Sequence, residues 1–196
     1  QYTKENLVTC LASVPQLYEQ WRDEKGREGF RTVSLSLAGP TDVPIYTAVM
    51  VRYERPFRAR SFTGLSLLQL QDTIASMRAD PRPLHPYIIT ATGPRASAVY
   101  AVCFRDMDSE PSPRPDLSPT EYADEHEQMR AQDRILLWVD AFGEADNPRY
   151  CAIWGANTRG ENWNAEAIDD KLPERQQRFD ALTSLGARVA LLAMTT

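Results

Sequence analysis

The chain has 196 residues, a formal net charge of −5 at pH 7, 42% hydrophobic and 25% charged residues. That mixture suits a folded protein with a real core and excludes wholesale disorder, while the acidic balance lacks the cationic face a nucleic-acid partner needs. No apolar run approaches the roughly 20 residues that cross a bilayer, so no membrane partner is expected.

Two further exclusions come from what the chain lacks. It opens at Gln1 with no basic-then-apolar leader, so any targeting segment is expected to have been removed or left out. Cys10, Cys103 and Cys151 are too few and too scattered for a disulfide framework or a C-x-x-C metal site. They read as buried thiols, with one disulfide pair and a leftover as the alternative.

In chain order, the apolar "NLVTCLA" (6–12) merges with a helix opening at Ser13. Ser13-Val14-Pro15-Gln16, Ser66-Leu67-Leu68-Gln69 and Ser118-Pro119-Thr120-Glu121 all have the S-x-x-E/Q form of a capping box. They stand 53 and 52 residues apart, and the next step of 52 reaches Asp170 before "KLPERQQRFDAL". Apolar pairs across each cap (Ala12 with Leu17, Leu65 with Leu70, Leu117 with Tyr122) add a hydrophobic staple.

Each helix is followed by an apolar or alternating run that reads as a strand: "FRTVSLSL" (30–37), "PYIITATG" (86–93), "RILLWVDAF" (134–142) and "RVALLAMTT" (188–196). After the first three come the turn-rich "AGPTDVP", "GPRAS" and "GEADNPR", then second strands "IYTAVMV" (45–51), "VYAVCF" (99–104) and "YCAIW" (150–154). Tyr46, Tyr100 and Tyr150 mark the second strands, 33, 34 and 32 residues after their caps. A fourth counterpart falls beyond Thr196, so the last strand is expected to lack its hairpin partner.

The expected fold is α+β: one pseudosymmetric domain (1–196) of four quasi-repeats, each a helix plus an antiparallel β-hairpin. The units run about 13–65, 66–117, 118–169 and an incomplete 170–196. The segment 107–119, with four prolines in thirteen residues, reads as a connector too proline-rich to continue the sheet. A competing arrangement pairs 6–12 with the last strand and closes the array.

Chemistry is sparse. No serine is followed by lysine three residues later, and Gly64-Leu65-Ser66-Leu67-Leu68 lacks the second glycine of a nucleophile elbow. Zincin, Walker A and Rossmann patterns are also missing, so no catalytic residue, metal or cofactor is assigned. His126 falls on the stripe of Leu17, Leu70 and Tyr122, at the place held by Trp21 and Ile74, and reads as core. A stand-alone enzyme would have to use His126 with neighbouring carboxylates, although Asp124, Glu125 and Glu127 beside Arg130 read as a solvated face.

His85, ahead of Pro86, has a structural or exposed reading. Trp21, Trp138 and Trp154 read as core. The loop "GANTRGENWNAE" (155–166) supplies the candidate binding residues Asn157, Arg159, Asn162 and Trp163, which combine hydrogen-bonding groups with an aromatic platform. The alternative for Trp163 is that it plugs a repeat interface, as Phe57 does in "RPFRARSF".

The stretches "GFRTVSLSLAGPTDVPIYTAVMV", "GLSLLQLQDTIASM" and "NPRYCAIWG" resemble the bacterial-type tandem repeat domain found beside β-lactamase-like serine hydrolase domains, as in the N-terminal region of fungal polyglycine hydrolases. The resemblance implies a secreted serine protease that cuts glycine-rich linkers of plant chitinases, with its machinery in a C-terminal catalytic domain outside this chain. This chain would then be a non-catalytic accessory or substrate-recognition region with a protein substrate as partner. The competing reading is a structural or oligomerisation module that pairs through its edge strand.

Overall fold

A computed structural model describes residues 6–161, Trp163, Gln177, Asp180, Ala181 and Ser184. The elements are β1 (Leu7–Ser13), α1 (Pro15–Arg27), β2 (Phe30–Ala38), β3 (Ile45–Arg52), β4 (Ala59–Leu65), α2 (Leu67–Ala79), β5 (His85–Thr92), β6 (Val99–Arg105), β7 (Ser112–Leu117), α3 (Pro119–Ala131), β8 (Arg134–Glu144) and β9 (Asn147–Ala156). The fold is α+β: three helices with three antiparallel sheets of three strands, ordered β1-β3-β2, β4-β6-β5 and β7-β9-β8. No described helix is long and apolar enough to cross a membrane.

Each unit thus begins one strand earlier than a helix-first reading has it. The segment 6–12 does not run into the helix: β1 is a separate strand pairing with β3, Leu7 opposite Val51 and Ser13 opposite Tyr46. The proline-rich segment is likewise a sheet strand in part. β7 pairs with β9, Pro113 opposite Ile153, and it tolerates its prolines because it is the outer strand, where a missing N–H leaves the ladder intact.

Helix starts show why these sequences fold as they do, and one expected start moves. Ser66 and Ser118 form complete capping boxes: each serine oxygen accepts from the third helical N–H, while Gln69 or Glu121 accepts from the serine N–H. Ser13 does not cap. It ends β1, and the cap position belongs to Val14, extended and without a side-chain bond, followed by Pro15 with its φ already helical. The staple Ala12–Leu17 fails with it, since Leu17 is 60% exposed and Tyr18 takes the buried place.

With Val14 as cap, the three starts stand 52 residues apart in both intervals, and Tyr18, Leu70 and Tyr122 share the fourth helical position. The place eight residues after the cap is therefore shared by Arg22, Ile74 and His126; Trp21 is one step off it.

The sheets repeat in register too. All three first strands are bulged at their ends, between Cys10 and Ser13, Phe62 and Leu65, and Arg114 and Leu117. All three second strands carry one unpaired residue, Val33, Tyr87 or Leu137. The tyrosines Tyr46, Tyr100 and Tyr150 are 54 and 50 residues apart because the α2–β5 connection, "DPRPL", has five residues where its counterparts have two, while β5 starts one position closer to its unpaired residue, a net shift of two.

The core lies between units as much as within them. One buried cluster joins Leu70, Tyr100 and Phe104 of unit 2 to Phe142, Cys151 and Ile153 of unit 3. Another joins Tyr18, Leu35 and Tyr46 of unit 1 to Ile88, Ala101 and Cys103 of unit 2, and Trp138 packs against both. Shared cores of this kind mean that no unit buries its apolar face alone. The second strands β2, β5 and β8 lie side by side and carry the polar links: Tyr87 OH donates to Thr32 O (2.8 Å), Thr92 Oγ1 to Gly39 O (2.8 Å) and Trp138 Nε1 to Ile89 O (2.8 Å).

The expected helix after Asp170 and strand 188–196, with any pairing of that strand, lie outside the described residues, apart from Gln177, Asp180, Ala181 and Ser184, which are helical.

Candidate functional site

The loop leaving β9 is built from its first residue. Asn157 takes the N–H of Glu161 on its side-chain oxygen (2.8 Å) and donates its amide to Glu161 O and to Asp133 Oδ1 (3.0 Å each). The Asn157 N–H meets Asp133 O (3.2 Å), and Gly160 closes the turn at φ +60, a conformation glycine adopts freely. Asn157 is thus consumed in shaping the loop. Arg159 is 84% exposed and lies 3.8 Å from Glu161 Oε1 in a loose surface ion pair. Asn162 lies outside the described residues.

Trp163 is half-buried and packs on the unit 3 cluster of Met129, Ala152 and Trp154. Its ring meets the His126 imidazole edge-on at 5.1 Å. In the same stack Tyr122 lies 6.3 Å from His126, 5.0 Å from Tyr150 and 5.9 Å from Trp154. Trp163 therefore anchors the loop to α3, and of the four candidates the described geometry leaves Arg159 reaching outward.

His126 is 7% exposed, and its Nδ1 has no partner among the described residues. Burial, the main cause, lowers its pKa, so the neutral ring is favoured. Of the neighbouring carboxylates, Glu125 is engaged by Arg114 at 2.7 Å. This is the geometry of a packing imidazole.

The cysteines are free thiols. Burial pushes Cys103 up to about 11 and raises Cys151, which donates to Pro115 O at 3.2 Å, so neither is poised as a nucleophile. Trp154 is fully buried, and Trp21 and Trp138 are partly buried. Among the described residues no group of three or more His, Cys, Asp and Glu side chains could hold a metal.

Two polar devices escaped the sequence reading. Asp116 and Arg149 form a buried ion pair (Nε to Oδ1, 2.6 Å), with Arg149 also donating to Asp116 O and Arg95 of unit 2 reaching Asp116 Oδ2 at 2.9 Å. Asp140 accepts from Thr90 Oγ1 and the Ala91 N–H across the β5–β8 junction. No motif announces either, because their partners are 21 to 50 residues away in the chain.

The comparison with known families falls on unit 3. Residues 114–157 match the polyglycine hydrolase-like structural repeat. The matched span runs from within β7, through α3 and the β8–β9 hairpin, to Asn157 at the base of the candidate loop. No curated protein matches the chain.

Proposed function

We propose that this chain is a non-catalytic region of a secreted serine hydrolase related to polyglycine hydrolases, and that it recognises the protein substrate for a C-terminal catalytic domain. The match of residues 114–157 to a structural repeat of that group carries the reading. Two features support it. The sequence has no S-x-x-K, and its most buried candidate base, His126, is held in an aromatic stack. The contact surface on this reading is the loop pinned by Asn157 and Trp163, with Arg159 as its outward contact.

The test compares this chain alone with the same chain joined to a polyglycine hydrolase catalytic domain, using a glycine-rich linker peptide. The chain alone is expected to bind the peptide without cutting it, and Arg159→Ala to weaken binding while leaving the melting temperature unchanged. Cleavage by the chain alone, or no difference between the catalytic domain with and without it, would refute the reading.

A further inference from the structure

At the junction between units 1 and 2 one arginine binds three backbone carbonyls and lies over the Phe57 ring. Arg31, at the start of β2, donates Nε to Phe57 O (2.7 Å) and Nη1 to Gly26 O (3.1 Å) and Phe30 O (2.8 Å), tying helix end, strand start and connector together. The strand bulges fix the equivalents at the junction between units 2 and 3: Arg78 for Gly26, Leu84 for Phe30 and His85 for Arg31. An imidazole is too short to span what a guanidinium spans. A cavity of about 420 Å³ remains there, and Arg78, Leu84 and His85 all line it.

Its charge runs against that of the protein. Arg78, Arg114 and Arg134 line the cavity with Glu110 as the carboxylate, whereas the whole chain carries −5. Arg78 is tied to Glu110 (2.8 Å) and Arg114 to Glu125 (2.7 Å). Arg134 has no carboxylate in hand: its Nη2 donates to the carbonyls of Glu110 (3.0 Å) and Trp154 (3.2 Å), and its buried Nε has no partner among the described residues. Guanidinium groups pair best with planar or tetrahedral oxyanions, and of the three arginines Arg134 alone holds no carboxylate among the described residues.

We propose that this cavity binds an oxyanion, a carboxylate or phosphate group, with Arg134 as its principal contact and Arg114 as its second. Neither Asn157 nor Arg159 lines it, so the proposal stands apart from the reading of the loop. The probes are inorganic phosphate and a short aspartate-rich peptide, titrated against the full chain by calorimetry at low and moderate salt. Saturable binding that weakens with salt is expected.

Arg134→Gln should cost about tenfold or more in affinity and Arg114→Gln several-fold, whereas Arg27→Gln, in the last turn of α1, should leave binding unchanged. Should Arg134→Gln fail to fold, Arg114→Gln decides. Phosphate binding alone identifies a free oxyanion, and peptide binding alone identifies a carboxylate of a polypeptide. No saturable binding of either probe, or binding indifferent to Arg114→Gln and to any folded Arg134→Gln, would overturn the proposal.

Discussion

Thr90 in β5 gives its hydroxyl to the carboxylate of Asp140 in β8 and accepts the backbone N–H of Leu37 in β2 on the same oxygen (3.2 Å). One side chain therefore stitches three units along the row of second strands. Thr90 and Asp140 occupy the same repeat position, that of Ser36 in unit 1, so the link runs between equivalent sites whose chemistry has diverged. Thr90→Val keeps the shape and removes both bonds, leaving the buried Leu37 N–H without this acceptor and the buried Asp140 carboxyl with backbone donors alone. The expected loss is about 1 to 3 kcal/mol, read from urea unfolding.

Burial, the largest cause, raises the pKa of Asp140, and the bonds from Thr90, Ala141 and Ala91 offset only part of this. The folded state then keeps a proton at pH values where the unfolded chain has released it. Stability contributed by this group is full below the ordinary carboxylate pKa of about 4 and declines as pH rises through the window up to the raised value. Asp140→Asn, which still offers an acceptor to Thr90, should flatten that decline in unfolding curves taken across the acid range.

His126 acts in a different window and with the opposite slope. Its pKa is lowered by burial, so its contribution is full above the unfolded value of about 6.5 and is lost as pH falls below it. His126→Phe, which preserves the contacts to Tyr122 and Trp163, should lessen the loss of melting temperature between about pH 7 and pH 5. His126→Ala should lower the melting temperature at every pH by opening a hole in the stack. An unchanged melting temperature for His126→Ala, coupled with a lost activity, would instead favour an enzymatic histidine.

The caps give a comparison internal to the repeat. Ser66→Ala and Ser118→Ala each remove a made capping bond and should cost about 1 kcal/mol, while Ser13→Ala should be near neutral because Ser13 belongs to β1. Val14→Ser places an oxygen where the other units have one and should stabilise by about 0.5 to 1 kcal/mol. Thermal denaturation of the four variants tests the assignment. A larger loss from Ser13→Ala than from Ser66→Ala would return the cap to Ser13.

Arg149 and Asp116 are both less than 10% exposed. Arg149→Met leaves the buried carboxylate with the exposed Arg95 as its remaining cation and should cost about 3 kcal/mol, the low end for a broken buried pair, whereas changing both residues to apolar ones should cost far less. A double-mutant cycle measures the difference.

The repeat was legible in the sequence because capping and turn chemistry are local. Ser66 and Ser118 declare their helices within four residues, and the Gly- and Pro-containing turns declare the hairpins. What misled was also local. Ser13 carries the cap signature, yet the pairing of β1 with β3, some 33 to 44 residues away, claims it for a strand. β7 was hidden because prolines speak against a central strand and say little about an outer one, and only the partner β9 reveals which it is. At the candidate loop, composition could not separate Asn157 and Trp163, which hold the loop in place, from the exposed Arg159. The charged groups at the unit junctions left no signal at all, since their meaning lies in partners brought together by the repeat.

The longer connection between α2 and β5 leaves both flanking parts undisturbed: α2 keeps the 13-residue length of its counterparts, and the β5–β6 hairpin keeps the bulge of its own. Strand-plus-helix and hairpin behave as two cassettes joined by an elastic seam. Recombination between units at that seam, taking the first cassette of one and the second of another, should conserve the register of every sheet. It offers a natural crossover point for building chimaeric arrays whose junction cavities are chosen cassette by cassette.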